Sequence, residues 1–77
     1  MSAAARAVVL TILNQVDEPV PDDELKRSSE LDSWWYDQIV AQLQKEGLIQ
    51  QGRSGYLIAD HGRDAAAKER LRLLSPW

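Results

Sequence analysis

A chain of 77 residues has room for one small domain, 1–77, and a domain that size has a thin stability margin without a good core, a staple or a partner. With no cysteine and a single histidine, the sequence excludes a disulfide staple, a thiolate metal site and the usual His/Cys zinc site. The formal net charge is −3, opposite in sign to what a nucleic-acid binder normally carries.

The opening stretch "MSAAARAVVLTILNQVDEP" has an early Arg and an apolar run, but the run is helically patterned and no small-residue cleavage site follows it. No apolar stretch approaches the length of a membrane span, so the expectation is a soluble, cytoplasmic protein without a membrane partner. Ala5, Val9, Ile12, Leu13 and Val16 recur at helical spacing and predict a first helix over 3–16, closed by the prolines of "DEPVP". Asp22 is placed to cap a short second helix, "DELKRSSEL", whose apolar residues are Leu25 and Leu31. Asp32 or Ser33 then caps a third helix from about 34 to 46, and Gly47 supplies its left-handed stop with Leu48 packing back. "LIQQGRSGYLIA", 48–59, predicts a β-hairpin with a glycine on each side of its tip. A fourth helix, "DHGRDAAAKERLRLL", starts with Asp60 as its cap and stops at Ser75-Pro76.

The fold class is therefore mainly α with a small antiparallel hairpin, in the order helix, helix, helix, hairpin, helix. The segment "DELKRSSELDSWWYDQIVAQLQKEGLI" has the "EL" of a second helix and a third helix ending in "L-x-x-x-G-L-I". "GYLIADHGRDAA" is similar to a return strand leading into "Y-x-L-T-x-x-G-R", with Ala59 where that pattern has Thr. Over nearly its whole length the chain resembles the winged helix-turn-helix, as in MarR-type and PadR-type bacterial transcription regulators. The resemblance implies a domain whose third helix enters the DNA major groove while the hairpin serves as wing. The same scaffold also serves protein contacts.

On the third helix, Tyr36, Ile39, Val40 and Leu43 form one stripe, which is expected to face the core. Trp34, Gln38, Ala41 and Lys45 lie roughly 140–200° from that stripe, with Trp35, Asp37 and Gln42 on the flanks. The resemblance thus assigns Ser33, Trp34, Asp37, Gln38 and Gln42 to the groove, and Lys45, with Arg53 and Ser54 of the hairpin tip, to the backbone or minor groove. Glutamine can read adenine, and an aspartate can accept from cytosine N4. The charge of this set is Lys45 plus Arg53 minus Asp37, 2 − 1 = +1, so a single copy should bind DNA weakly. The surrounding charge is lopsided. Residues 14–37 carry two bases and eight acids, 2 − 8 = −6, whereas 38–77 carry six bases and four acids, 6 − 4 = +2.

Trp35 is expected to cover the junction with the first or second helix, and Trp34 is divided between packing and an interaction role. His61 suits a solvated helix start. Ala67, Leu71 and Leu74 repeat at i, i+4, i+7 and precede Trp77, a stripe with little to pack on in so small a domain. Together with Val9 and Leu13 of the first helix, they are expected to build a two-fold dimer that sets two third helices on adjacent half-sites.

Enzyme chemistry is not indicated: there is no cysteine nucleophile, no Ser/His pairing, no phosphate-cradling glycine loop, no metal set and no cofactor motif. Two functions follow. The first is a small sequence-specific regulator binding double-stranded DNA, formed by the winged helix alone. The second is a protein-interaction module that binds a partner through Trp34 and the acidic second helix.

Overall fold

The computed structural model describes residues 3–74 of the chain, and the side chains of residues 4–68. Its elements run α1 (Ala3–Asn14), α2 (Asp22–Ser29), α3 (Ser33–Lys45), β1 (Ile49–Gly52), β2 (Gly55–Ile58) and α4 (Asp60–Leu74). The protein is mainly helical, with one two-stranded antiparallel hairpin.

α1 buries Ala7, Val9, Leu10 and Leu13. Of the expected face, Val9 and Leu13 are buried and Ala5 and Ile12 pack against the core; Ala7 and Leu10 widen it, while Val16 lies beyond the helix and is exposed. α4 packs chiefly along α1. Its first turn is fixed there by Arg63, which donates to Asn14 Oδ1 at 3.0 Å and to Asp17 Oδ1 at 3.3 Å. α4 begins at Asp60, but its first helical hydrogen bond runs from Arg63 N–H to the Ala59 carbonyl. Asp60 is therefore a first-turn acid, placed to favour the helix dipole.

α2 starts one residue earlier than expected. Pro21, not Asp22, takes the cap position, and its carbonyl accepts from Leu25 N–H at 2.9 Å. Asp22 is thereby free to bind elsewhere. Its carboxylate and its backbone carbonyl both accept from the hydroxyl of Tyr36 on α3, at 2.8 Å to Oδ1 and 3.0 Å to the backbone oxygen. Burial first, then this bond to Asp22, pushes the Tyr36 phenol far above the usual tyrosine range. α2 ends at Glu30 in the left-handed region, φ 58°, and a three-residue link leads to α3.

α3 obeys its caps. Asp32 Oδ1 accepts from Trp35 N–H at 2.9 Å. At the other end, Gly47 N–H bonds the Gln44 carbonyl and Leu48 N–H the Leu43 carbonyl, both at 3.0 Å. These are the paired bonds of a Schellman stop, with Gly47 at φ 74°. The inner stripe is as expected, with Tyr36, Ile39, Val40 and Leu43 all buried. With Leu25, Ile49, Tyr56, Ile58 and Ala66 they meet the α1 residues in one core.

The hairpin pairs Ile49 with Ile58, Gln50 with Leu57, Gln51 with Tyr56 and Gly52 with Gly55, leaving Arg53-Ser54 as a two-residue tip. A third backbone segment joins it. Val20 and Tyr56 exchange both backbone hydrogen bonds, at 2.8 and 2.9 Å, so the link between α1 and α2 lies along β2. Gly55 makes that approach possible. Its φ of 133° is open to glycine alone, and a Cβ there would sit 2.1 Å from the Val20 carbonyl oxygen.

Candidate functional site

A recognition surface has to be built from side chains that the core leaves uncovered. Burying the Tyr36 stripe fixes the rotation of α3, and the opposite side emerges as a row of uncovered residues. Ser33, Trp34, Asp37, Gln38, Ala41, Gln42 and Lys45 are spread along it, all exposed, and Gln42 is held by a bond to Glu46. Arg53 and Ser54 are exposed at the hairpin tip. β1 buries only Ile49, so the hairpin leaves the end of α3 with Gln50, Gln51 and its tip in solvent.

Two members of this set are not simple polar contacts. Gln42 Nε2 donates to Glu46 Oε2 at 2.8 Å, which removes half of the amide from any base-reading role until that bond is exchanged. Glu46 in turn receives the Arg6 guanidinium of α1 through two bonds, at 2.7 and 2.9 Å. The hydrogen bonds from Arg6 first, and Gln42 second, lower the Glu46 carboxyl from 4.5 to about 2. The negative charge at the α3 end is thus neutralised by Arg6, leaving Lys45 as the cation on that turn. Lys45 itself is exposed.

Trp34 is 62% exposed and meets Trp35 edge-to-face, with ring centroids 5.0 Å apart and planes at 79°. Such geometry suits aromatic quadrupoles and holds both rings at the start of α3. Trp35, 38% exposed, turns towards α1, where it lines a shallow apolar concavity of about 420 Å³ with Ala4, Ala5, Val8 and Leu31.

The expected dimer residues need correction. Val9 is 0% and Leu13 1% exposed, because the face of α1 that carries them is packed within the protomer. Neither has surface to offer a second copy. Ala67 is exposed. Leu71 and Leu74 lie on α4, but their side chains, and Trp77 as a whole, fall outside the described residues. Val8, one position from Val9, is the large apolar residue that α1 exposes among the described residues, at 38%.

Sequence reasoning missed the Val20 bridge, the Arg6–Glu46–Gln42 cluster and the concavity beside Trp35. One of these had a readable signal. Val20 is β-branched and precedes Pro21, two features that push its backbone into the extended region.

Among the described residues, no group of three or more His, Asp or Glu is placed to hold a metal ion, and no helix is long and apolar enough to cross a membrane. Comparison of the chain with protein-family models, with curated proteins and with solved structures gives no significant match in any of the three.

Proposed function

We propose that the chain is a winged helix-turn-helix domain that binds double-stranded DNA. In this reading α2 and α3 form the helix-turn-helix, α3 enters the major groove, and β1–β2 is the wing. One observation carries it: the polar row Ser33, Asp37, Gln38 and Gln42 stands uncovered on α3, with Lys45 at its end, beside a hairpin whose exposed tip is Arg53-Ser54. Gln38 and Gln42 would read base edges, Ser33 and Ser54 would bond phosphate oxygens, and Lys45 and Arg53 would supply the charge.

The cation count sets the affinity. With a formal charge of +1 on the face, non-specific binding by one copy is weak and falls steeply with salt. Fluorescence anisotropy with a mixed-sequence duplex, at two ionic strengths, tests this. Binding that weakens about tenfold or more in Arg53→Ala and Lys45→Ala is the expected result. Anisotropy that never rises above the free-duplex value, even at low salt, would overturn the reading.

A second reading has its own support in the 62% exposure of Trp34 and the exposed acids Asp22, Asp23 and Glu24 that open α2. A tryptophan left this bare beside acids suits a protein partner better than a polyanion. Pull-down of the full chain with nuclease present separates the two. Capture that survives nuclease and is lost in Trp34→Ala selects the protein-contact reading.

A further inference from the structure

The two glutamines on the open side of α3 stand one turn apart, and the fold treats them differently. Gln38 is exposed, and among the described residues no side chain bonds to its amide. Gln42 donates through Nε2 to Glu46 Oε2 at 2.8 Å, one turn further on. A carboxylate only accepts, so the amide nitrogen has to face Glu46, and the carbonyl Oε1 is the end turned away. Chemistry thus fixes which way this amide is flipped.

Glu46 can impose that direction because it does not follow Gln42. Arg6, on α1, holds both of its carboxylate oxygens, at 2.7 Å to Oε2 and 2.9 Å to Oε1. The Arg6 and Glu46 side chains are 18% and 34% exposed, so neither swings freely in solvent. The hydrogen bonds from Arg6, and then from Gln42, lower the Glu46 carboxyl to about 2, and it stays an ionised acceptor at neutral pH. Arg6 also offsets a charge that would otherwise repel phosphates.

We propose that Glu46, braced by Arg6, is a positioning residue that makes Gln42 a reader of the exocyclic amines of adenine and cytosine in the major groove. This role rests on the DNA-binding reading and specifies the base at one position within it. A freely flipping glutamine offers either end, accepting from an amine or donating to guanine O6 and N7 or to thymine O4. With the carbonyl presented, adenine N6 and cytosine N4 are the base-edge donors that match it. One N–H of the amide remains, and adenine N7, next to N6, accepts it, which places adenine ahead of cytosine. Guanine and thymine bring only acceptors to that edge and would leave Oε1 without a partner.

The experiment is selection from a random duplex library, then anisotropy on single-base variants of the selected duplex, with the full chain, Glu46→Ala and Gln42→Ala. The natural chain should favour adenine, then cytosine, over guanine and thymine at one position, by about fivefold or more. Both substitutions should flatten that position, while affinity for a scrambled duplex stays within about threefold. A merely structural Glu46 would instead weaken binding to all four bases alike. Nuclear magnetic resonance of the free protein checks the clamp without DNA: the Gln42 Nε2 protons should resonate apart from those of Gln38 and move onto them in Glu46→Ala. Gln42 protons that already coincide with those of Gln38, equal binding to the four bases, or a preference that survives Glu46→Ala would each overturn this role and leave DNA binding standing. Failure to bind any duplex would instead sink the DNA-binding reading, and the base-reading role with it.

Discussion

Tyr36 shows how one side chain serves both packing and pairing. Its ring fills the core from α3, while its hydroxyl reaches the first turn of α2 and bonds Asp22. Tyr56, the chain's other tyrosine, is also buried, and burial is the main cause that raises its phenol above the usual range. Both folded values lie above the ordinary 10.0. The stability that the neutral phenols contribute is thus complete below pH 10 and is lost as pH rises beyond it. The native protein should show no tyrosinate absorbance at pH 10, where free tyrosine is half ionised, and ionisation should coincide with loss of the far-ultraviolet helix signal. Early, non-cooperative titration of either tyrosine would contradict the burial described. Glu46 behaves in the opposite sense. Its folded value is depressed to about 2 from 4.5, so its contribution is complete above pH 4.5 and disappears as pH falls through 2. Both partners are partly exposed, and solvent screening limits the bidentate pair to about 1 kcal/mol. Denaturant titration should give Glu46→Gln about 1 kcal/mol less stability than the natural chain at neutral pH, the gap closing towards pH 2.

Elements meet where side chains are missing. Gly62 sits in the first turn of α4, where a Cβ would lie 2.0 Å from the Leu48 carbonyl oxygen and 2.7 Å from Ile58 Cγ1. Helix propensity alone favours Gly62→Ala by up to about 1 kcal/mol. Contact with a backbone oxygen cannot be relieved by a rotamer change, however, and α4 would have to move off the hairpin. The clash should win, at a net cost of about 2 kcal/mol or more in chemical denaturation. A neutral or stabilising result would mean that α4 can shift freely against Leu48. The inner stripe of α3, its Asp32 cap and its Gly47 stop could be read from the sequence, because each depends on spacings of a few residues. The face of α1 was read in part: Val9 and Leu13 were placed inward, while Ala7 and Leu10 are buried by neighbours far along the chain. The same cause removed Val9 and Leu13 from the expected dimer surface. On the candidate site, period alone placed Ser33, Asp37 and Gln38 on the open side of α3. The bond from Gln42 to Glu46 depends on Arg6, 40 residues from Glu46, and no local pattern carries that information.

Across the whole molecule, charge is segregated and its consequences run in opposite directions. The segment 14–37 holds a net −6 within the α1–α2 link, α2 and the start of α3, while 38–77 holds +2. Among the described residues, Asp17 of this segment pairs with Arg63, but their side chains are 97% and 43% exposed, too solvated to offset the repulsion. Folding brings those acids closer than they lie in the open chain, so the native state carries the larger self-repulsion. Salt shortens the reach of that repulsion from about 30 Å at 0.01 M to about 10 Å at 0.1 M. Added sodium chloride should therefore raise the melting temperature by a few degrees, a gain of roughly 0.5 kcal/mol in a domain this small. If the proposed DNA-binding reading holds, the same addition should weaken that binding, because Lys45 and Arg53 would displace DNA counterions. Thermal melts and anisotropy on one salt series test both slopes together. Rising stability alongside falling affinity means that lost binding reports charge on the α3 and hairpin face. A melting temperature that falls with salt would show instead that attractive pairs, not the acidic repulsion, dominate the electrostatics of the folded chain.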